Sequence, residues 1–150
     1  MNLNFLRVAK FVFTLAVAGA AALASACSSS DEIPTITGND LSPRLNMESV
    51  WIIDTRDPEK FDESHINVGG SISVVDMDAS FRSAKPEELI VVCGADANDP
   101  SAVALAKQLK ERGYNRVFVL EGGFAKWAAG GGTVRSMKDI PMMARPPHAR

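Results

Sequence analysis

The chain has 150 residues, with 16 basic against 18 acidic side chains and a formal net charge of −2 at pH 7. Residues 1–30 hold two basic and no acidic residues, so the remainder carries 14 basic against 18 acidic, a net charge of −4 that argues against nucleic acid as a partner. Once the first 34 residues are set aside, about 115 remain, enough for one domain with one core.

Residues 1–26 read as an export signal rather than as fold. Arg7 and Lys10 form a positive n-region, Phe11 to Leu23 form an apolar stretch too short for a comfortable membrane span, and Ala24-Ser25-Ala26 are small enough for a cleavage site. The sequence Leu23-Ala24-Ser25-Ala26-Cys27 resembles the bacterial lipobox, although Ala24 stands where leucine is usual. That resemblance implies lipidation of Cys27 and an exported, membrane-anchored lipoprotein. By resemblance to the sorting rules of Gram-negative lipoproteins, Ser28 after the cysteine implies the outer membrane or periplasm if the organism is Gram-negative. The alternative is an uncleaved anchor, or an ordinary secretory signal that leaves Cys27 as a spare thiol. Residues 27–34 form a polar tether, reaching about 25 Å when extended.

From Val50 onward, short apolar runs alternate with helical stretches, the pattern of a parallel sheet with helices on its faces. Val50 to Asp54, Ser71 to Val75, Leu89 to Cys93 and Val117 to Leu120 are the predicted strands; continuous apolar runs of this kind suit strands covered on both sides. A short helix is predicted from Pro58 to Glu63 with Asp57 as its cap, and helical turns near Leu41 to Leu45 and Ala79 to Phe81. The clearest helix has Asp99 as N-cap and Pro100 at its first position, buries Ala102, Leu105, Ala106 and Leu109, and stops at Gly113. Another runs from Phe124 to Ala129 and is halted by Gly130-Gly131-Gly132. Residues 135–150 carry Arg135, Lys138, Arg145 and Arg150 with three prolines and no apolar period. They read as a flexible basic tail, or as a contact for anionic lipid head groups.

Cys93 closes a strand and opens the loop Gly94-Ala95-Asp96-Ala97-Asn98-Asp99, which leads into a helix N-terminus. A thiol there is placed for sulfur chemistry. With Cys27 used for anchoring, Cys93 has no internal disulfide partner.

Asp54-Thr55-Arg56, followed by Glu59, Phe61 and His65-Ile66, resembles the opening signature of the rhodanese family. Cys93 stands where that family has its nucleophile, and Gly122-Gly123-Phe124, Trp127 and Ala129-Gly130 resemble its closing motif. The resemblance covers residues 35–134 in order. It implies an α/β three-layer fold, a central, mostly parallel sheet of four to five strands with helices on both faces. It further implies sulfur transfer through a Cys93 persulfide, from a small sulfur donor or a protein persulfide to a thiol or cyanide acceptor, with no metal or organic cofactor.

Most of the motif residues read as structural. Asp54 and Arg56 are expected to orient a strand-to-helix turn, His65 to satisfy a backbone group, Gly122 and Gly123 to make a positive-φ turn, and Trp127 to plug the core. The loop departs from the family. Active members commonly carry a base five positions after the cysteine, where Asn98 stands, and related phosphatases of this fold need arginine at the next position, occupied here by Asp99. Asp96 is expected either to face solvent or to sit near the sulfur and repel anions. Weak thiosulfate turnover is the expectation, and a non-catalytic binding or redox-sensing module is the alternative.

Overall fold

The computed structural model describes residues 32–140. The export segment, Cys27 and residues 141–150 lie outside the described residues. In chain order the elements are β1 (Thr35–Ile36), α1 (Gly38–Arg44), β2 (Val50–Asp54), α2 (Pro58–Glu63), β3 (His65–Ile66), β4 (Ser71–Ser73), α3 (Met77–Ser80), β5 (Leu89–Cys93), α4 (Pro100–Glu111), β6 (Val117–Leu120), α5 (Gly123–Ala129) and β7 (Val134–Arg135). Short 3-10 turns cover Val74–Asp76, Phe81–Ser83 and Met137–Asp139.

Five strands form one sheet in the order β1-β6-β5-β2-β4, with every pairing parallel. Side chains alternate across the sheet, as the pleat requires. Ile53, Ile90 and Val92 pack on one face with Ala102, Leu105 and Leu109 of α4 and with Met77 of α3. Val50, Ile52, Leu89, Val91 and Cys93 pack on the other with Leu41 of α1 and Trp127 of α5. The sheet is therefore covered on both sides, which is why all of Leu89–Cys93 is apolar and buried. Each such large aliphatic side chain contributes about 1.5–3 kcal/mol through burial.

The predicted helices form where their caps place them. The Asp99 side chain accepts from the Ser101 N–H at the head of α4, and Gly113 takes φ 95° after its end. Asp57 precedes Pro58 as expected but makes no side-chain cap bond.

Two expectations need correction. The strand predicted as Ser71 to Val75 ends at Ser73, because β4 is an edge strand paired only to β2 and the chain then tightens into the Val74–Asp76 turn. The basic tail does not begin at residue 135. His65 pairs with Arg135 and Ile66 with Val134 in a separate antiparallel β3-β7 ribbon, and Met137 is buried. Ser136 and Asp139 form a capping box, and the Ser136 hydroxyl donates to the Asp62 carbonyl at 3.2 Å. Residues 135–140 are thus part of the packed structure. Among the described residues, no helix is long and apolar enough to cross a membrane.

Met137→Ala is expected to lower the free energy of unfolding by about 2 kcal/mol, read from urea denaturation. A loss below about 0.5 kcal/mol, the usual effect at an exposed position, would contradict the packing of this segment.

Candidate active site

The chain direction across the sheet reverses between β2 and β5, since β4 lies to one side of β2 while β5 and β6 follow on the other. In open parallel sheets the crevice at the carboxyl ends of the strands, at such a switch point, is where ligands bind. Asp54 and Cys93 end these two strands and are register partners.

Asp54 is 1% exposed, and a carboxylate so placed needs compensation. The Arg56 guanidinium supplies it with a forked contact: Nε donates to Oδ1 at 3.0 Å and Nη2 to Oδ2 at 2.7 Å. Nη2 also donates to the Ser64 carbonyl at 2.7 Å, and Cζ lies 3.6 Å from the centre of the Phe124 ring. Arg56 therefore ties the β2–α2 turn to α5. His65 is likewise structural. Its Nδ1 lies 2.9 Å from the Phe61 carbonyl, its ring stacks on Phe61, and burial, only partly offset by that carbonyl, lowers its pKa and keeps it neutral.

The loop after Cys93 is held on both sides. On its carbonyl side, Phe124 N–H donates to Gly94 O at 2.9 Å and Ala125 N–H to Ala95 O at 3.0 Å, so the start of α5 rests on the loop. This close approach needs Gly123, with φ 58°, because a Cβ there would lie 2.6 Å from Gly94 O. Gly122 has φ 74°, and Trp127, 5% exposed, packs in the core. On its amide side the loop meets Asp99. Oδ2 accepts from Ala95 N–H at 2.8 Å, and Oδ1 accepts from Ser101 N–H at 2.9 Å and from the Ser101 hydroxyl at 2.5 Å. The Ser101 hydroxyl is also 2.7 Å from that of Thr55, whose N–H donates to Cys93 O at 2.9 Å.

Asp96 faces solvent, accepting the Asn98 N–H at 2.7 Å, so the acid that crowds the site is Asp99. Ala97 and Asn98 are exposed at the crest of the loop. Thr55 and Ser101 were not singled out from the sequence, although a hydroxyl two residues after an Asp cap is a usable signal for a second bond to that cap.

Cys93 itself is fully buried, and its thiol donates to its neighbour's carbonyl, Gly94 O, at 3.6 Å. Burial raises its pKa well above the ordinary thiol range; the Asp54 and Asp99 carboxylates push the same way, against Arg56. The thiol is held protonated. Beside the loop lies a cavity of ≈ 480 Å³ whose lining includes Thr55, Arg56, Lys60, Ala95, Asp99 and Phe124. Among the described residues, no group of three His, Cys, Asp or Glu side chains could hold a metal ion.

A parallel α/β sheet with a cysteine ending a central strand under an amide-rich loop defines a class of protein, and the comparisons with known proteins name it. The model of the rhodanese-like domain matches residues 37–130, and the chain belongs to that family. It is similar to the thiosulfate sulfurtransferase GlpE of Shewanella oneidensis, 32% identical over 98 residues, covering 59% of this chain and 86% of the relative. The GlpE of Pseudoalteromonas translucida is also 32% identical, over 87 residues, covering 57% of this chain and 79% of the relative. Among solved structures, the Alr3790 protein of Anabaena sp. superimposes with a TM-score of 0.58 at 27% identity, covering 69% of this chain and 82% of that one.

Replacing Arg56 with alanine leaves Asp54 buried without its partner. The expected loss is about 3–5 kcal/mol of unfolding free energy, seen in urea denaturation. A loss under about 1 kcal/mol would mean that Asp54 is neutralised by other means.

Proposed function

We propose that this domain is a sulfurtransferase that passes sulfane sulfur through Cys93, tethered outside the cytoplasm by a lipid on Cys27. The observation that carries the proposal is the placement of a thiol at the end of a central strand, beside one loop N–H, of Ala95, and one N–H of the first turn of α4, of Ser101, that together hold the Asp99 carboxylate. Amides arranged for one anion can hold another, the Cys93 persulfide, once the carboxylate has moved off them. The GlpE relatives' names support the same chemistry. The Leu23 to Cys27 motif and its polar tether support the anchoring.

The donor reaches the sulfur only when the loop lifts, which also hydrates the thiol and lets it ionise. The Cys93 thiolate then attacks the outer sulfur of a persulfide donor. The donor's S–S bond breaks, its thiolate departs and takes up the proton that Cys93 released, and Cys93 carries one extra sulfur. An acceptor thiolate attacks that sulfur, the new S–S bond breaks, and the Cys93 thiolate returns. Sulfur moves with its electron pairs accounted for, and nothing is oxidised or reduced overall. Asp54 and Asp99 near the sulfur disfavour an anionic donor such as thiosulfate, so a neutral or cationic persulfide is the preferred substrate class.

The sequestered thiol favours one other reading, a domain that keeps the fold without turnover. Intact-mass analysis of the full chain, exposed separately to thiosulfate and to the persulfide of cysteamine, whose ammonium group offsets its anionic sulfur, separates the two. Sulfur transfer gives an adduct of about +32 Da with the persulfide that is lost in Cys93→Ser. No adduct with either donor would sink it.

A further inference from the structure

The Asp99 carboxylate takes one N–H of the loop after Cys93 and one N–H of the first turn of α4. Its Oδ2 takes the Ala95 N–H at 2.8 Å, and its Oδ1 takes the Ser101 N–H at 2.9 Å. It also lies against the loop backbone next to the sulfur, since a Cβ on Gly94 would be 2.9 Å from Asp99 Cβ and Oδ2. An ordinary N-cap aspartate stabilises the first turn of its own helix through one acceptor oxygen. Here the second oxygen reaches back four residues to the amide that follows Gly94, which capping does not require.

Resting on the sulfurtransferase reading, we infer that Asp99 is a specificity-determining residue that occupies the loop's own anion position, so that the loop admits an uncharged sulfur donor and turns away an anionic one. An incoming anion competes with this carboxylate for the same two N–H groups and meets its charge on approach. A neutral donor needs neither N–H group before attack and meets no charge repulsion. Release of the Ala95 bond also frees the backbone that buries Cys93, so access to the sulfur and choice of donor are governed by one side chain.

The test uses alkylation and so does not depend on turnover. The full chain and its Asp99→Asn variant are treated with neutral iodoacetamide and anionic iodoacetate, and labelling is measured at the peptide that contains Cys93. Asparagine is as good an N-cap as aspartate and keeps an acceptor for Ser101 N–H, so the helix is retained while the charge is lost. The expected result is that the iodoacetate rate rises at least tenfold more than the iodoacetamide rate, about 1.4 kcal/mol of charge discrimination. Equal acceleration of both reagents would show a mechanical latch without selection. That result overturns the inference, as does an unchanged rate ratio or no labelling in either form. Failure of the sulfur-transfer reading registers elsewhere, as absence of the persulfide adduct on the native chain.

Discussion

The parallel register of β2 against β5 puts Asp54 opposite Cys93 at the carboxyl ends of the two central strands. A carboxylate buried there destabilises the domain unless a cation reaches it, and Arg56, two residues on, is bound to do so through a forked contact. Much else follows from that constraint. The guanidinium also holds Ser64 O at the end of α2 and lies over the Phe124 ring, so the turn after β2 and the start of α5 are located together. With α5 in place, its first N–H groups bind Gly94 O and Ala95 O and settle the carbonyl side of the loop. Arg56 is consumed by this task, so the site gains little free positive charge from it.

The electrostatics of the sulfur follow from the same geometry. Desolvation is the main cause of the raised Cys93 pKa, and two carboxylates add to it against one guanidinium. A terminus of α4 contributes only about 0.3–1 kcal/mol toward the thiolate, less than one pKa unit, and Asp99 spends that field on its own charge. The closed loop is therefore a resting arrangement with a protonated, covered thiol. In the proposed reaction, reactivity belongs to an arrangement in which the loop has lifted. This division separates storage of the thiol from its use, and it places the control point on the loop rather than on a general base.

Much of the fold was legible because burial imposes simple patterns. Leu89 to Cys93 reads as a strand since both faces are covered, and Pro100 to Glu111 reads as a helix from its Asp-Pro start and its apolar stripe. The two-residue strands β1, β3 and β7 were not legible. Thr35 and Ile36 are ordered by pairing with Val119 and Leu120, and Val134 and Arg135 by pairing with Ile66 and His65, so local sequence holds too little of the cause. Residues 135–140 bury Met137 in a 3-10 turn, which leaves no period to see. In the site, Cys93, Asp54 and Arg56 were legible from their motifs. The turn of Asp99 back to Ala95 was not, since a capping aspartate declares its bond to Ser101 but not the direction of its second oxygen.

The central claim, that an internal carboxylate closes the loop over the sulfur, is tested most directly by following the Ala95 and Ser101 amide resonances by NMR as pH falls. Burial pushes the Asp99 carboxyl up, but the bonds from Ser101 and from the Ala95 N–H together outweigh it and hold its pKa below the ordinary aspartate value. Both amides are expected to shift together, with one inflection below the ordinary aspartate range, as the carboxylate takes up its proton and releases them. Amides that fail to titrate, or an Ala95 amide that titrates apart from Ser101, would contradict it.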